Sequence, residues 1–509
     1  MAPPRKTEPV SIQMAARDAL RGGACAAFCP SAGALTPAPL PFGPTAFTHF
    51  GLSGLAMSDS LSWLDGGSGD GAFAGAVWRP PPGKRGAFLH ARLVETGGRG
   101  VRVRRLGASR AGEIRLTRFL RNPAVTVEEM AAEAAARTAG RCAGRPVLAI
   151  QDTTVVTSEG GGGLYLHAVL AVDEDDGAIL GLMHACFLAR DAGRRSARGS
   201  RPLAEKESRR WLDGAGRAAE VGAKAARVTV IADRESDIFA AFALRPATTE
   251  LLVRAAQDRS LGDGGRLFGR ADALAEGGRA RLRLPAKPGR PAREALVAVR
   301  FMAVELARPT DGVRTGLPKS VVLNLVDVRE VDPPAGEGVH WRLLTTLPVA
   351  DAAEAFAVAD LYRRRWAIEQ LFRTLKTKGF DIEAVRIGED APRSKLTMAA
   401  LVAAVTIQQL VHARDGGAGQ SRLRPVTDAF GSDDLPLIEA LCKSLEGKTE
   451  RQRNPHPRGS LAYAAWVCAR LGGWTGYYGK PGPIVMLQGW LEFQAAKRGA
   501  ALIAPQRNV

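Results

Sequence analysis

Tyr362, Arg365, Glu369 and Lys376 lie in Leu361-Tyr-Arg-Arg-Arg-Trp-Ala-Ile-Glu-Gln-Leu-Phe-Arg-Thr-Leu-Lys376, a Y-x2-R-x3-E-x6-K spacing. On one continuous helix the four positions fall at about 0°, 300°, 340° and 320°, so a single face carries a phenol, two cations and a carboxylate. Such a face suits a phosphate backbone held beside a metal ion. Arg365 and Glu369 also form an i, i+4 pair of the kind that decorates a solvated helix for roughly 0.3 kcal/mol. Spacing alone does not separate these two readings.

Two upstream carboxylates favour chemistry. Asp152 ends the apolar run of Pro146-Val-Leu-Ala-Ile-Gln-Asp-Thr-Thr-Val155, and Asp233 ends that of Val228-Thr-Val-Ile-Ala-Asp-Arg-Glu-Ser-Asp237. Both runs are β-type, and acids at strand ends in α/β sheets face the crevice where ligands bind. A helix N-cap or turn is the other common use of such an Asp. A helix starting near Ser236 gives that role to Asp237 and leaves Asp233 for function. Three carboxylates from two strands and one helix make a hard-oxygen site for Mg2+ or Mn2+. Two such ions about 4 Å apart can activate a water or a DNA 3′-hydroxyl and stabilise the leaving oxygen of an in-line phosphoryl displacement. The seven His and six Cys offer no rival site. Cys25 and Cys29 are a lone C-x3-C, and His167 and His184 read as packed residues of separate apolar runs.

With these residues in view, the sequence resembles the DDE transposases of the IS-four family, of the Tn-five kind. The matching blocks are Arg118-Phe-Leu-Arg-Asn-Pro123, Leu148-Ala-Ile-Gln-Asp-Thr-Thr154, Glu205-Lys-Glu-Ser208 with Trp211, Val230-Ile-Ala-Asp-Arg-Glu-Ser-Asp-Ile238, Trp341, the Tyr362–Lys376 string, and Gly459-Ser-Leu461 with Ala469-Arg-Leu-Gly-Gly473. The resemblance implies an RNase H-like α/β core in which Asp152, Asp233 and Glu369 hold two Mg2+ ions, replaceable by Mn2+, and a mostly β insertion between the second Asp and the Glu. It makes Tyr362, Arg365 and Lys376 clamps on a DNA end, and assigns Arg254 and Arg373 to DNA contacts. Trp341 takes the position of an indole that stacks on a base flipped from the duplex, where an aromatic face recovers part of the unstacking cost. Without the resemblance, Trp341 reads as a sheet-core residue and the two arginines as surface charges.

Periodicity supplies the elements that must position these groups. Arg279–Pro285, Ala295–Phe301, Ser320–Val326 and His340–Thr345 alternate as strands of the insertion. Lys395–Ala413, Leu435–Leu445, Leu461–Leu471 and Pro483–Ala496 carry helical spacing. The basic segment Gly447–Arg458 reads as a solvated linker or a DNA-contacting loop. The longest apolar stretch, Met398–Leu410, is broken by Gln408 and Gln409 and reads as a core helix, with no membrane span. Four regions are expected, their roles implied by the resemblance: residues 1–56, low-complexity and disordered; 57–115, a degenerate remnant of a DNA-end-binding domain; 116–391, the catalytic domain with its β insertion at about 257–345; and 392–509, a helical domain for dimerisation and synapsis.

A net charge of +18 over 509 residues gives long-range attraction for polyanions, although a GC-rich coding bias inflates the arginine count. Sparse Cys and the lack of a convincing signal peptide favour a reducing cytoplasm, and the resemblance implies a bacterial one, with the protein at the nucleoid when bound. The N-terminus departs from the family pattern. Gly83–Val94 keeps only a remnant of the basic helix, behind the helix-hostile Trp78-Arg-Pro-Pro-Pro82, and Val101–Ile114 is rich in Arg and Gly. A natural start near Met57 and a compensated frameshift or decay between Gly75 and Ile114 account for this pattern. The expected activity is cut-and-paste transposition through hairpin intermediates by a homodimer that binds double-stranded DNA at terminal inverted repeats and then at a target. A decayed copy that binds or inhibits without transposing, and an RNase H-like host nuclease, are the alternatives.

Overall fold

The computed structural model describes residues 103–503 except Ala108, 158–162, 189–205, 285–290, 311–315, 335–337, Lys378, 417–421 and Tyr478. The regions expected at 1–56 and over most of 57–115, with Cys25 and Cys29, lie outside the described residues.

Three short segments lead into the sheet: α1 (Val103–Gly107), α2 (Arg110–Arg121) and α3 (Val127–Cys142). Ser109 caps α2 by accepting from the Gly112 amide, and Thr126 caps α3 by accepting from that of Glu129. The Arg- and Gly-rich stretch before Ile114 is thus helical over Val103–Gly107 and again from Arg110, and α2 crosses the boundary expected at residue 115.

One nine-stranded sheet follows, built from β1 (Pro146–Thr157), β2 (Gly163–Asp173), β3 (Ile179–Leu188), β4 (Arg227–Ala232), β5 (Thr249–Arg254), β6 (Gly278–Leu284), β7 (Arg293–Ala307), β8 (Ser320–Glu330) and β9 (His340–Thr345). Its order is β3-β2-β1-β4-β5-β9-β8-β7-β6. β1, β4 and β5 run parallel, while β2 and β3 fold back antiparallel on β1. This is the RNase H-like core the resemblance implies. The insertion strands β6–β9 do not form a separate layer, because β9 pairs with β5 and continues the core sheet.

Asp152 was expected at the end of a strand, and here the structure differs. β1 runs on to Thr157, so Asp152 sits inside it opposite Ala168 of β2. The parallel pairing with β4 stops at Ile150 and Ile231. Beyond that point β1 has a partner on one side only, which opens a crevice beside Asp152 without ending the strand. The apolar run marked the doubly covered part of β1, not its full length.

Strand alternation sends side chains to two cores. Leu148, Ile150, Leu166 and Ile231 pack on one face with α7 (Ala352–Arg363), α8 (Trp366–Lys376) and α9 (Asp390–Ala413). Val147, Ala149, Val230 and Val253 pack on the other with α4 (Arg209–Val221), α5 (Phe239–Ala243) and α6 (Leu267–Ala273). α10 (Leu435–Leu445), α11 (Leu461–Leu471) and α12 (Pro483–Ile503) complete the chain. α10 and α11 keep the expected bounds; α9 starts before Lys395 and α12 runs beyond Ala496. α9 therefore spans the domain boundary expected at 391/392. It is long and apolar enough to cross a membrane by length and composition, yet it is mostly buried against the sheet and its neighbouring helices.

Candidate active site

The Tyr362–Lys376 string does not form one helix. α7 ends at Arg363 and α8 begins at Trp366; between them the amides of Arg364 and Arg365 donate to the carbonyls of Leu361 and Tyr362, three residues back. This tightened turn replaces the expected continuous face. It still brings three of the four residues to one centre, because Arg365 at the junction reaches the acids directly.

The Arg365 guanidinium is the hub. Its Nη1 lies 3.2 Å from Asp152 Oδ2 and its Nη2 3.5 Å from Asp233 Oδ2, and Nη2 also donates to Glu369 Oε1. Asp152 projects from the α8 side of β1, Asp233 follows β4, and Glu369 occupies the first turn of α8. The Thr153 amide donates to Asp152 at 2.7 Å; the Arg234 amide and the Tyr362 hydroxyl donate to Asp233 at 2.8 and 3.0 Å. Tyr362 is buried, its ring 5.3 Å from that of Trp341 on β9. Arg254 on β5 donates to the His340 carbonyl at 2.9 Å, next to Trp341. Lys376 Nζ is 3.4 Å from Thr154 Oγ1 and 3.3 Å from Glu383. Arg373 is partly buried on α8 and makes no ion pair or side-chain hydrogen bond among the described residues, which leaves it apart from the acids.

Electrostatics separate the two aspartates. Burial pushes the Asp152 carboxyl up to about 6; Arg365 and the Thr153 amide pull against this, and Glu369 and Asp233 add to it. Burial acts on Asp233 in the same direction, but Arg365, the Arg234 amide and the Tyr362 hydroxyl outweigh it and hold that carboxyl below its ordinary value. Burial and the Asp233 charge raise the Tyr362 phenol, so it stays a hydrogen-bond donor.

Asp237 does not cap a helix. A 3-10 turn spans Arg234–Ser236 with Asp233 at its start, and α5 begins only at Phe239. Asp237 is buried instead, accepting from the amides of Ala256 and Gln257 and pairing with Arg259 at 2.7 Å. It anchors the loop after β5, and Asp233 is the residue that caps the turn, through the Arg234 amide, while also reaching Tyr362 and Arg365.

The donor chemistry fits a hard divalent cation. Three carboxyl groups face a single guanidinium at a partly buried centre, an all-oxygen donor set with acids in excess of bases. With Arg365 between them, no three His, Cys, Asp or Glu side chains among the described residues stand close enough to hold one ion. An ion among the acids therefore requires the guanidinium to withdraw.

Residues 166–405 match the family model described as the transposase DDE domain. This stretch is similar to a transposase DDE domain. The match runs from β2 into α9 and includes Asp233 and Glu369. Asp152 lies before its first residue, so the Arg365 contact is what joins Asp152 to the two acids inside the matched stretch. Sequence reasoning missed Thr153, Arg210 and Glu235 around this centre. Arg210 stands inside the quoted block between Ser208 and Trp211, where a polar residue beside an apolar anchor was the available signal.

Proposed function

We propose that this chain is the transposase of a bacterial insertion sequence, of the IS-four, Tn-five-like kind, cutting its element from DNA and joining it elsewhere. The observation that carries this reading is the meeting of Asp152, Asp233 and Glu369, from three separate elements, around one guanidinium. The DDE domain match supports it. These three carboxylates would hold two Mg2+ ions, with Mn2+ a substitute. When bound, the ions lower the pKa of a water or DNA hydroxyl and neutralise charge on the phosphate under attack.

The remaining work falls to the chain's own groups. Arg365 exchanges the acids for a DNA phosphate, a planar fork being suited to either. Tyr362 orients Asp233 through its hydroxyl. Lys376, Arg254 and Arg373 contact the DNA backbone, and Trp341 offers its ring to a base displaced during hairpin closure. The active form is a homodimer in which each subunit cuts the end held by the other, in a bacterial cytoplasm at the nucleoid.

The test is a transposition assay with the element's own terminal inverted repeats, in Mg2+ and in Mn2+. Strand transfer is the expected result, and Glu369→Ala is expected to bind DNA while neither cutting nor joining it. Cleavage without end preference or joining would instead assign a host nuclease. Loss of binding together with cleavage in Glu369→Ala would make the acidic centre structural.

A further inference from the structure

Arg210 stands at the start of α4, on the face of the sheet opposite Arg365. Successive residues of β1 point to opposite faces, so Asp152 and Thr154 look toward α8 while Gln151 and Thr153 look toward α4. Arg210 Nε donates to Thr153 Oγ1 at 3.0 Å, and its Nη2 donates to Glu235 Oε2 at 2.8 Å. Thr153 follows Asp152 in the chain, and Glu235 lies two residues after Asp233. One guanidinium therefore spans the two backbone segments that carry the aspartates, at the point where β1 and β4 have stopped pairing.

The arginine is itself fixed. Nη1 donates to the Glu207 carbonyl at 2.8 Å, and the guanidinium lies 4.9 Å from the centre of the Trp211 ring. Thr153 is fixed from its other side by His167, whose Nδ1 is 3.0 Å from the same hydroxyl oxygen. His167 is fully buried, and burial holds its imidazole neutral. Arg210 and His167 thus hold the Thr153 hydroxyl from two sides, linking the three residues in one hydrogen-bonded chain. A solvated arginine on a helix surface has none of these constraints, and only 9% of the Arg210 side chain is exposed.

We propose that Arg210 is a positioning residue, a clamp that sets the separation of Asp152 and Asp233 by tying Thr153 to Glu235. This rests on the reading of those acids as metal ligands, and groups of this kind behind a ligand commonly change metal affinity or activity by about 10–100-fold.

The test compares the full-length protein with Arg210→Met, Arg210→Lys, Thr153→Val and the Arg210→Met/Thr153→Val double variant. Hydrogen exchange read by mass spectrometry, without metal, reports the clamp itself. Arg210→Met is expected to speed exchange about tenfold in the peptides containing both Asp152–Thr154 and Asp233–Ser236, with the rest of the sheet unchanged. Mn2+ affinity, followed by electron paramagnetic resonance, is expected to fall about tenfold. The double variant is expected to lose no more than the worse single one, and Arg210→Lys, which can reach only one partner, to fall between. Exchange that rises in one segment, in neither, or across the whole sheet overturns the clamp, as do losses that multiply in the double variant. Coupled exchange in a wild type that binds no Mn2+ keeps the clamp and overturns the metal reading instead.

Discussion

At Asp152 the fold works against the charge that chemistry requires. Its carboxyl rises from 3.8 to about 6 because burial and the neighbouring acids outweigh Arg365, so the folded state favours the protonated form. The stability tied to that proton is present below the unfolded value and is lost as pH rises through about 6. At pH 7.5 the ionised carboxylate then costs up to about 3 kcal/mol, reduced to about 1–2 kcal/mol by its partial exposure. Asp152→Asn, which resembles the protonated form, is accordingly expected to be more stable than wild type by about that amount at pH 7.5 and equal to it below pH 4. Urea unfolding at the two pH values reads this difference, and a pH-independent gain would remove the ionisation argument. On the proposed reading of these acids as metal ligands, added Mn2+ is expected to stabilise the wild type and to narrow the gap. Asp233 behaves oppositely, because a tyrosine hydroxyl, a backbone amide and Arg365 all favour its anion.

At the scale of elements, α4 delivers Arg210 only because it can lie close to the sheet. Gly214 allows this: a Cβ there would stand 2.4 Å from Gln151 Oε1 and 3.2 Å from His167 Nε2. Gly216, two residues along the same helix, faces open space. The two alanine substitutions should therefore differ in sign. Gly216→Ala is expected to gain up to about 1 kcal/mol from helix propensity. Gly214→Ala is expected to lose about 1–2 kcal/mol, as overpacking exceeds that same gain, and to lower cleavage by displacing Gln151 beside Asp152. Thermal melting of both variants, with nicking of plasmid DNA, checks the pair; equal shifts would show that α4 does not set the approach. The sequence made much of this architecture legible. Alternation located β6 and β9 within a residue and the starts of β7 and β8 within two, but stopped six and four residues short of the ends of β7 and β8; the apolar periods of α10 and α11 marked both ends. What it could not disclose were features decided by partners distant in the chain. The break at Arg364 lies in residues that keep helical backbone angles while changing hydrogen-bond partners, so a helical wheel passes over it. The extension of β1 depends on pairing with β2, and the burial of Asp237 depends on Arg259. Arg210 carries no periodic signal, since its partners lie on two other elements.

Across the whole molecule, the acidic turn between β2 and β3 joins the C-terminal segment to the signature helices. Asp173 is fully buried, 2.7 Å from Arg424 and 3.2 Å from Arg145, while Arg424 also reaches Asp176 at 2.9 Å. Glu174 pairs with Arg227, and its carbonyl accepts from Arg364, the neighbour of the active-centre arginine. Four arginines thus bring the residue before β1, the start of β4, the α7–α8 junction and the segment before α11 to one hairpin turn. Removing one member of a buried pair leaves the other charge desolvated, at about 3–5 kcal/mol. Asp173→Asn is expected to lose less than that, about 1.5–3 kcal/mol, because Arg424 keeps Asp176 as a partner, and Asp173→Asn with Arg424→Met is expected to lose more because Asp176 then loses its cation. Burial alone would raise the Asp173 carboxyl, but Arg424, the Asp175 amide and Arg145 hold it below its ordinary value. Its stabilisation is therefore complete above the ordinary carboxylate range and is lost as pH falls through the lowered value, so the Asp173→Asn deficit should shrink in acid. Because Arg364 and Arg365 are adjacent, the same substitution is expected to weaken DNA cleavage more than its effect on folded population explains. Denaturation at neutral and acid pH, beside cleavage under fully folded conditions, measures both effects. A variant that loses stability but cleaves normally would confine this network to holding the C-terminal helices in place.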